Sequence, residues 1–244
     1  LTETIRQSAH NLAKQSRRGA FKTLKSEFAF GYGNNEFTIT LQDNTKICLR
    51  GRIDLIEQAQ GRDCNYLRII DFKSGANDLP LDEVYYGLKI QLLVYLKAAL
   101  KSLPGYQGAG VLYRYIKNPF IKGSSKLSHE EAERLYLKEI KPKGLLLGHF
   151  EPLYLADSEL LDNLSSDILP FKLKKDGKEY LQSHGLHPSE EKNINDLFDQ
   201  NSAVVSQNQL DALQKHIEHL IAETGQKILA GEFTPKPYKY KSKS

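Results

Sequence analysis

The chain has 244 residues, 40% hydrophobic and 26% charged, with a formal net charge of +4. That length suits one large domain, or a domain with a helical appendage, in a soluble globular protein. No apolar run approaches the ~20 residues of a membrane helix. No signal-peptide pattern is visible either, so the cytoplasm is the expected compartment. Two cysteines, Cys48 and Cys64, are too few for a disulfide framework or a four-thiolate cluster.

The charge is uneven. Residues 1–26 carry six Lys/Arg against one Glu, and residues 236–244 carry four Lys and no acid, which leaves the middle net acidic. Basic ends around an acidic middle suit a nucleic-acid partner whose phosphates meet the ends and a metal that meets the middle, or equally basic tails that only keep the ends solvated.

Residues 2–18 predict a helix, with Ile5, Ala9, Leu12 and Ala13 at helical spacing and Gly19 as the stop. "FKTLKSEFAFGYG" predicts a strand ending in a Gly-rich turn. Alternation about Asp43-Asn44 predicts a hairpin, with Phe37, Ile39 and Leu41 on one arm and Ile47 and Leu49 on the other. "YLRIIDFKS" reads as a further strand after a turn at 61–65. Residues 81–101 predict one amphipathic helix whose stripe is Val84, Leu88, Leu92, Tyr95 and Leu96. "GAGVLYRYIKNPF" predicts another strand, and 128–140 and 157–165 short helices. Residues 170–206 read as polar and loop-rich, with Tyr180, Leu181, Leu197 and Phe198 as anchors for short helices. A long helix over 207–230 and an exposed basic tail follow. The order indicates an α/β fold with one central mixed sheet flanked by helices. The expected division is an N-terminal helix at 1–19 packed on the core, a core at 20–120, and a helical C-terminal extension at 121–244.

The stretch "LRGRIDLIEQAQGRDCNYLRIIDFKSG" places Asp54 and Asp71 inside apolar strands. Period two puts Asp71 and Lys73 on one face, roughly 6–7 Å apart. If the strands pair across the turn at 61–65, Asp54 and Asp71 converge. Two buried carboxylates cannot both stay ionised without a countercharge. A hard divalent cation answers this, and Mg²⁺ suits one or two carboxylates together with phosphate and water. Lys73 then stands as a fixed positive charge beside an attacked phosphate. The plainer alternative is a surface Asp–Lys ion pair worth little, with Asp54 capping a turn. Gln91 and Tyr95, at i and i+4, share a helix face and read either as a boundary residue and a core tyrosine or as groups reaching toward the same place. Tyr85, Tyr86, Tyr113 and Tyr115 read mainly as core residues, with base stacking as the alternative. Glu27 reads as a strand-end acid, and His184 and His187 as loop residues in water.

"GRID", "IIDFKSG" and "EVYYGLKIQLLVYL" carry G-x-x-D, D-x-K and Q-x-x-x-Y in that order. The chain thereby resembles the RecB-type nucleases of the PD-(D/E)xK phosphodiesterase superfamily. Within it, "GAGVLYRYIKNPFI", "KGLLLG" and "GEFTPKPYK" look like the C-terminal nuclease domain of the B subunits of AddAB (RexAB) helicase–nucleases. The resemblance implies a restriction-endonuclease-like core and a metal-dependent DNA exonuclease. Its Mg²⁺, for which Mn²⁺ can substitute, would be held by Asp54, Asp71 and the Phe72 backbone carbonyl. Lys73 would be catalytic, with Gln91 and Tyr95 steadying the site or the DNA. It also implies, as partner, the A subunit of such a helicase–nuclease. The DNA would be a single strand fed from unwound duplex, the setting double-strand-break processing for recombination, and no membrane would be involved. A catalytically inactive DNA-binding scaffold of the same superfamily and a stand-alone CRISPR-associated nuclease are the alternatives.

Two family features are not matched. The family's metal-ligating histidine lies upstream of G-x-x-D, and His10 in "QSAHNLAKQS" resembles the segment after it, so His10 is not assigned. With no Met and no Trp, the chain reads as a piece of a longer protein, one expected to bind metal and cleave weakly alone. Many B subunits carry an iron–sulfur cluster; Cys48 and Cys64 do not match its ligands, and two cysteines cannot build one.

Overall fold

The computed structural model describes all residues except 1, 76–77, 117–127, 190–191, 233 and 235–244. In chain order its elements are helix α1 (Thr2–Arg17) and strands β1 (Lys22–Phe30), β2 (Phe37–Thr40), β3 (Lys46–Leu49), β4 (Gly51–Gln60) and β5 (Asn65–Lys73). Helices α2 (Leu81–Tyr85) and α3 (Gln91–Ser102) lead to β6 (Tyr106–Tyr115), α4 (His129–Glu139), β7 (Lys143–Leu147) and α5 (Phe150–Ala156). Then come α6 (Lys175–His184), α7 (Ile194–Leu197), β8 (Val204–Val205) and α8 (Gln207–Leu229).

Six strands form one mixed sheet in the order β1-β4-β5-β6-β7-β8. The interior of β5 is buried throughout, the pattern of a strand covered on both faces. β4 pairs antiparallel with β1 and β5, whereas β5 and β6 are parallel. A parallel pair needs a crossover, which α3 supplies. On one face Leu67, Ile69 and Val111 pack under Leu92, Leu93 and Leu96 of α3 and Leu210 and Ile217 of α8. On the other, Ile70 and Leu112 meet Phe150, Leu153, Phe171, Tyr180 and Phe198. Each fully buried Leu or Ile contributes about 1.5–3 kcal/mol, so α3, with five buried residues, is pinned firmly over β5.

The hairpin is present as the separate two-stranded sheet β2-β3. Its turn uses Asn44 at φ 65° and a hydrogen bond from Thr45 N–H to Asp43 Oδ1, the local chemistry that suits Asn and Asp to turns. α8 runs close over this hairpin at Gly225, where a Cβ would collide with Ile47.

Three sequence expectations are corrected. The single helix expected over 81–101 is two helices, because α2 ends in a Schellman motif. Gly87 takes φ +79°, Leu88 N–H donates to Glu83 C=O and Gly87 N–H to Val84 C=O, which satisfies the last carbonyls of a helix. Leu88 is consequently exposed rather than part of the buried stripe. The helix expected over 157–165 is one 3₁₀ turn, Ser158–Leu161, since Asp157 is drawn into a cluster with Arg18 and Ser166. Finally, the chain after residue 120 is not only helical. "KGLLL" and "VV" form β7 and β8 of the same sheet, and α5 follows β7. These apolar runs are too short for periodicity to separate strand from helix. The strand expected over 108–120 is β6, of which 117–120 lie outside the described residues, as does the basic tail from 235.

Gly87→Ala puts a Cβ in ordinary contact with Leu220, 3.7 Å from its Cδ1, but holds a left-handed backbone. It is expected to cost about 1–2 kcal/mol, read as a lower urea midpoint with an unchanged slope.

Candidate active site

β4 and β5 pair in register from Gln60↔Asn65 to Leu55↔Ile70, and the rungs stop there. Asp54 is the next residue on β4 and Asp71 the next on β5. In place of another rung, Asp54 Oδ2 accepts a hydrogen bond from Phe72 N–H at 2.8 Å. A strand residue points its N–H and C=O to the same side, so the Phe72 carbonyl also faces the gap between the strands. Two carboxylates and one backbone carbonyl therefore border one small opening.

Asp71 is only 2% exposed. Lys73 Nζ lies 2.5 Å from its Oδ2, so the buried carboxylate is paired with an ammonium. Burial raises the Asp71 carboxyl above its ordinary value against the pull of the Lys73 ammonium, and the nearby Asp54 adds to the rise. An ammonium on a half-buried stem is one of the few groups that tolerates such a place while reaching outward.

One turn apart on α3, Gln91 Nε2 donates to Tyr95 Oη at 2.8 Å. The Tyr95 ring packs edge-on against Phe30 with centroids 5.7 Å apart. Tyr113 sits opposite Asp71 in the parallel β5–β6 register, and Lys73 Nζ stands 5.6 Å from its ring centre. Burial, with the charge of Asp71 nearby, pushes the Tyr113 hydroxyl up to about 12, so it stays a proton donor at neutral pH.

Lys73, Gln91, Tyr95 and Tyr113 line one open groove of about 640 Å³. Arg50, Leu88, Lys89 and Ile221 complete its walls. Asp71, in contact with Lys73, lies just beneath its floor. The structure thus brings Asp54, Asp71, Phe72, Lys73, Gln91 and Tyr95 together. Arg50 and Lys89 were missed as groove residues. Arg50 could have been found as the residue before the Gly of G-x-x-D, on the same strand path as Asp54; Lys89 carries no comparable signal, because its position depends on the break at Gly87.

Other candidates lie elsewhere. His10 is exposed on α1, which packs against Arg114, and Arg114 leaves β6 on the face opposite Tyr113. Glu27 is an exposed strand residue with φ 49°, 3.6 Å from Arg52. His184 ends α6 stacked on Tyr180, rather than lying in a loop. His187 Nε2 is 3.4 Å from Glu151 at a second cavity of about 520 Å³ on the far side of the sheet. Glu151 there accepts from Tyr66 Oη and Arg62 N–H, which ties the 61–65 turn to α5. Tyr85 and Tyr86 are exposed and Tyr113 is buried. Among the described residues, no helix is long and apolar enough to cross a membrane.

The chain matches the PD-(D/E)XK nuclease superfamily over residues 1–241. It is 36% identical over its whole length to the B subunit of an ATP-dependent helicase/deoxyribonuclease from Lysinibacillus sphaericus. Proteins of the same description from Oceanobacillus iheyensis and Listeria innocua are 33% and 32% identical over 99% and 100% of the chain. In each case the chain spans 20% of the relative's length. The mixed sheet with helices on both faces, Lys73, Gln91 and Tyr95 lining one groove with Asp71 in contact with Lys73, and the match over nearly every residue agree: this chain belongs to the PD-(D/E)XK nuclease superfamily.

Proposed function

We propose that this domain is the DNA-hydrolysing part of a helicase–nuclease B subunit, cutting phosphodiester bonds with a divalent cation held by Asp54, Asp71 and the Phe72 carbonyl. The observation that carries the proposal is the splayed end of the β4–β5 ladder. There the buried carboxylate of Asp71, paired with the Lys73 ammonium, and the backbone of Phe72 face Asp54 across one gap. Hard oxygen donors of this kind fit Mg²⁺ or Mn²⁺ and not a soft metal. When bound, such a cation lowers the pKa of water and offsets negative charge at phosphorus.

The protein's own groups supply the rest. Asp71 fixes the Lys73 ammonium at the groove floor, where it can pair with a non-bridging phosphate oxygen or orient the attacking water. Tyr95, held by Phe30 and by the Gln91 amide, offers a fixed hydroxyl to the strand in the groove. Positioning of this kind is worth several powers of ten in rate. Arg50 sets an exposed cation in the groove wall for a phosphate backbone, beside Lys89, which is paired with Glu83 at 3.3 Å.

The relatives' description as B subunits of a helicase/deoxyribonuclease supports a partner subunit and a DNA substrate; an A-type partner chain, a single strand delivered by a helicase, exonucleolytic digestion and recombinational repair of broken ends are part of the same proposal. Incubating end-labelled single-stranded and duplex DNA with the chain in Mg²⁺, Mn²⁺ or EDTA tests the proposal. Cleavage of the single strand in either metal and none in EDTA is expected; cleavage that persists in EDTA rejects it.

A further inference from the structure

Tyr32 is 56% exposed. Its position is built rather than incidental. Gly31 takes φ +83°, and a Cβ there would fall 2.1 Å from Leu49 O and 2.8 Å from Arg50 Cα. Only glycine lets the β1 end press this closely on the Leu49–Arg50 backbone. The turn is closed by hydrogen bonds from Gly31 N–H to Asn35 C=O and from Asn35 N–H to Tyr32 C=O. Tyr32 is thereby set beside Arg50, whose guanidinium carbon lies 5.0 Å from the ring centre. Arg50 in turn lines the groove that holds Lys73, Gln91 and Tyr95. Along the strand it stands four residues before Asp54, roughly 13 Å away.

An exposed aromatic face joined to an exposed cation, at one mouth of a groove with a positive wall, matches what an unpaired nucleobase and its phosphate require. We propose that Tyr32 and Arg50 form a stacking platform that seats one base of a single DNA strand as it lies toward the metal site. A paired base has its faces covered by its neighbours, so the platform favours single strands over duplex. The assignment rests on the nuclease function proposed above.

The test is binding of a fluorescein-labelled deoxythymidine oligonucleotide to the whole chain, followed by anisotropy in EDTA so that the strand stays intact. Tyr32→Ala should weaken binding by about 5- to 100-fold, as expected for one lost base–aromatic stack, while Tyr32→Phe stays within about twofold of the unmodified chain, a ring-for-ring exchange that keeps the stack. An oligonucleotide made of abasic sites should bind the unmodified chain and Tyr32→Ala equally, which a merely structural role for Tyr32 would not produce. Equal binding of deoxythymidine strand by the unmodified chain and Tyr32→Ala overturns the platform, as does failure of the unmodified chain to bind. Cleavage assayed separately keeps the two claims apart: binding that depends on Tyr32 without cleavage leaves the platform and sinks the nuclease reading.

Discussion

Asp71→Asn is expected to lower single-strand cleavage by about 10³-fold or more, the scale of losing several kcal/mol of charge stabilisation at phosphorus. Lys73→Ala should cost about 10²–10³-fold, the usual effect of removing one preorganised donor from a reacting centre. The two variants differ in a second readout. Burial holds the Asp71 carboxyl above its ordinary value, so its ionised form at neutral pH works against the fold. An acid whose folded pKa is raised stabilises the native state fully below its ordinary value and loses that contribution as pH rises through the raised folded value. Asparagine has the same shape and no charge. In EDTA at pH 7 the Asp71→Asn chain should therefore melt no lower than the unmodified chain, while losing its activity. A coincident fall in melting temperature and activity would show instead that Asp71 serves the fold.

The largest stability effect is expected on the opposite face of the sheet. Glu57, Arg68 and Arg114 are each about 95% buried. Arg68 Nε donates to Glu57 Oε2 at 2.6 Å, and Arg114 Nη1 lies 3.6 Å from Oε1. Phe21 covers the Arg68 guanidinium at 4.2 Å. Burial pushes Glu57 up, but the two guanidinium groups outweigh it and hold the carboxyl below its ordinary value. Burial also pushes Arg114 down to about 10. Glu57→Gln leaves two buried cations without a counter-ion and should cost about 3–5 kcal/mol, a large part of the 5–15 kcal/mol typical of a whole domain. The sign with pH follows from the depressed value. The contribution is complete above about pH 4.5, the ordinary value, and is lost as pH falls through the lower folded value. Urea midpoints of the unmodified chain should drop below that pH, and those of Glu57→Gln should drop less.

The site was more legible than the fold around it. G-x-x-D and D-x-K are read directly because an acid inside an apolar strand is costly and needs a reason, and the 61–65 turn fixes which strands bring Asp54 to Asp71. What could not be read was how α2 and α3 separate. The apolar spacing of 81–101 continues smoothly through Gly87, and an isolated Gly in a helical pattern is ambiguous. Only the φ of +79° and the two hydrogen bonds of the Schellman turn decide it. That break matters for the site, since it brings Leu88 and Lys89 to the groove wall. β7 and β8 escaped notice for another reason: "GLLL" is buried throughout and "VV" is only two residues long, so neither offers an alternation to read. The Glu57–Arg68–Arg114 cluster was also invisible, because each residue looks like a surface charge until the strands are paired.

The central claim is that Asp54, Asp71 and the Phe72 carbonyl hold one divalent cation. Titrating the chain with Mn²⁺ and following free Mn²⁺ by electron paramagnetic resonance tests it most directly. The expected result is one site per chain that Mg²⁺ displaces and that disappears in the Asp54→Asn, Asp71→Asn double variant. Undiminished Mn²⁺ binding by that variant would contradict the account.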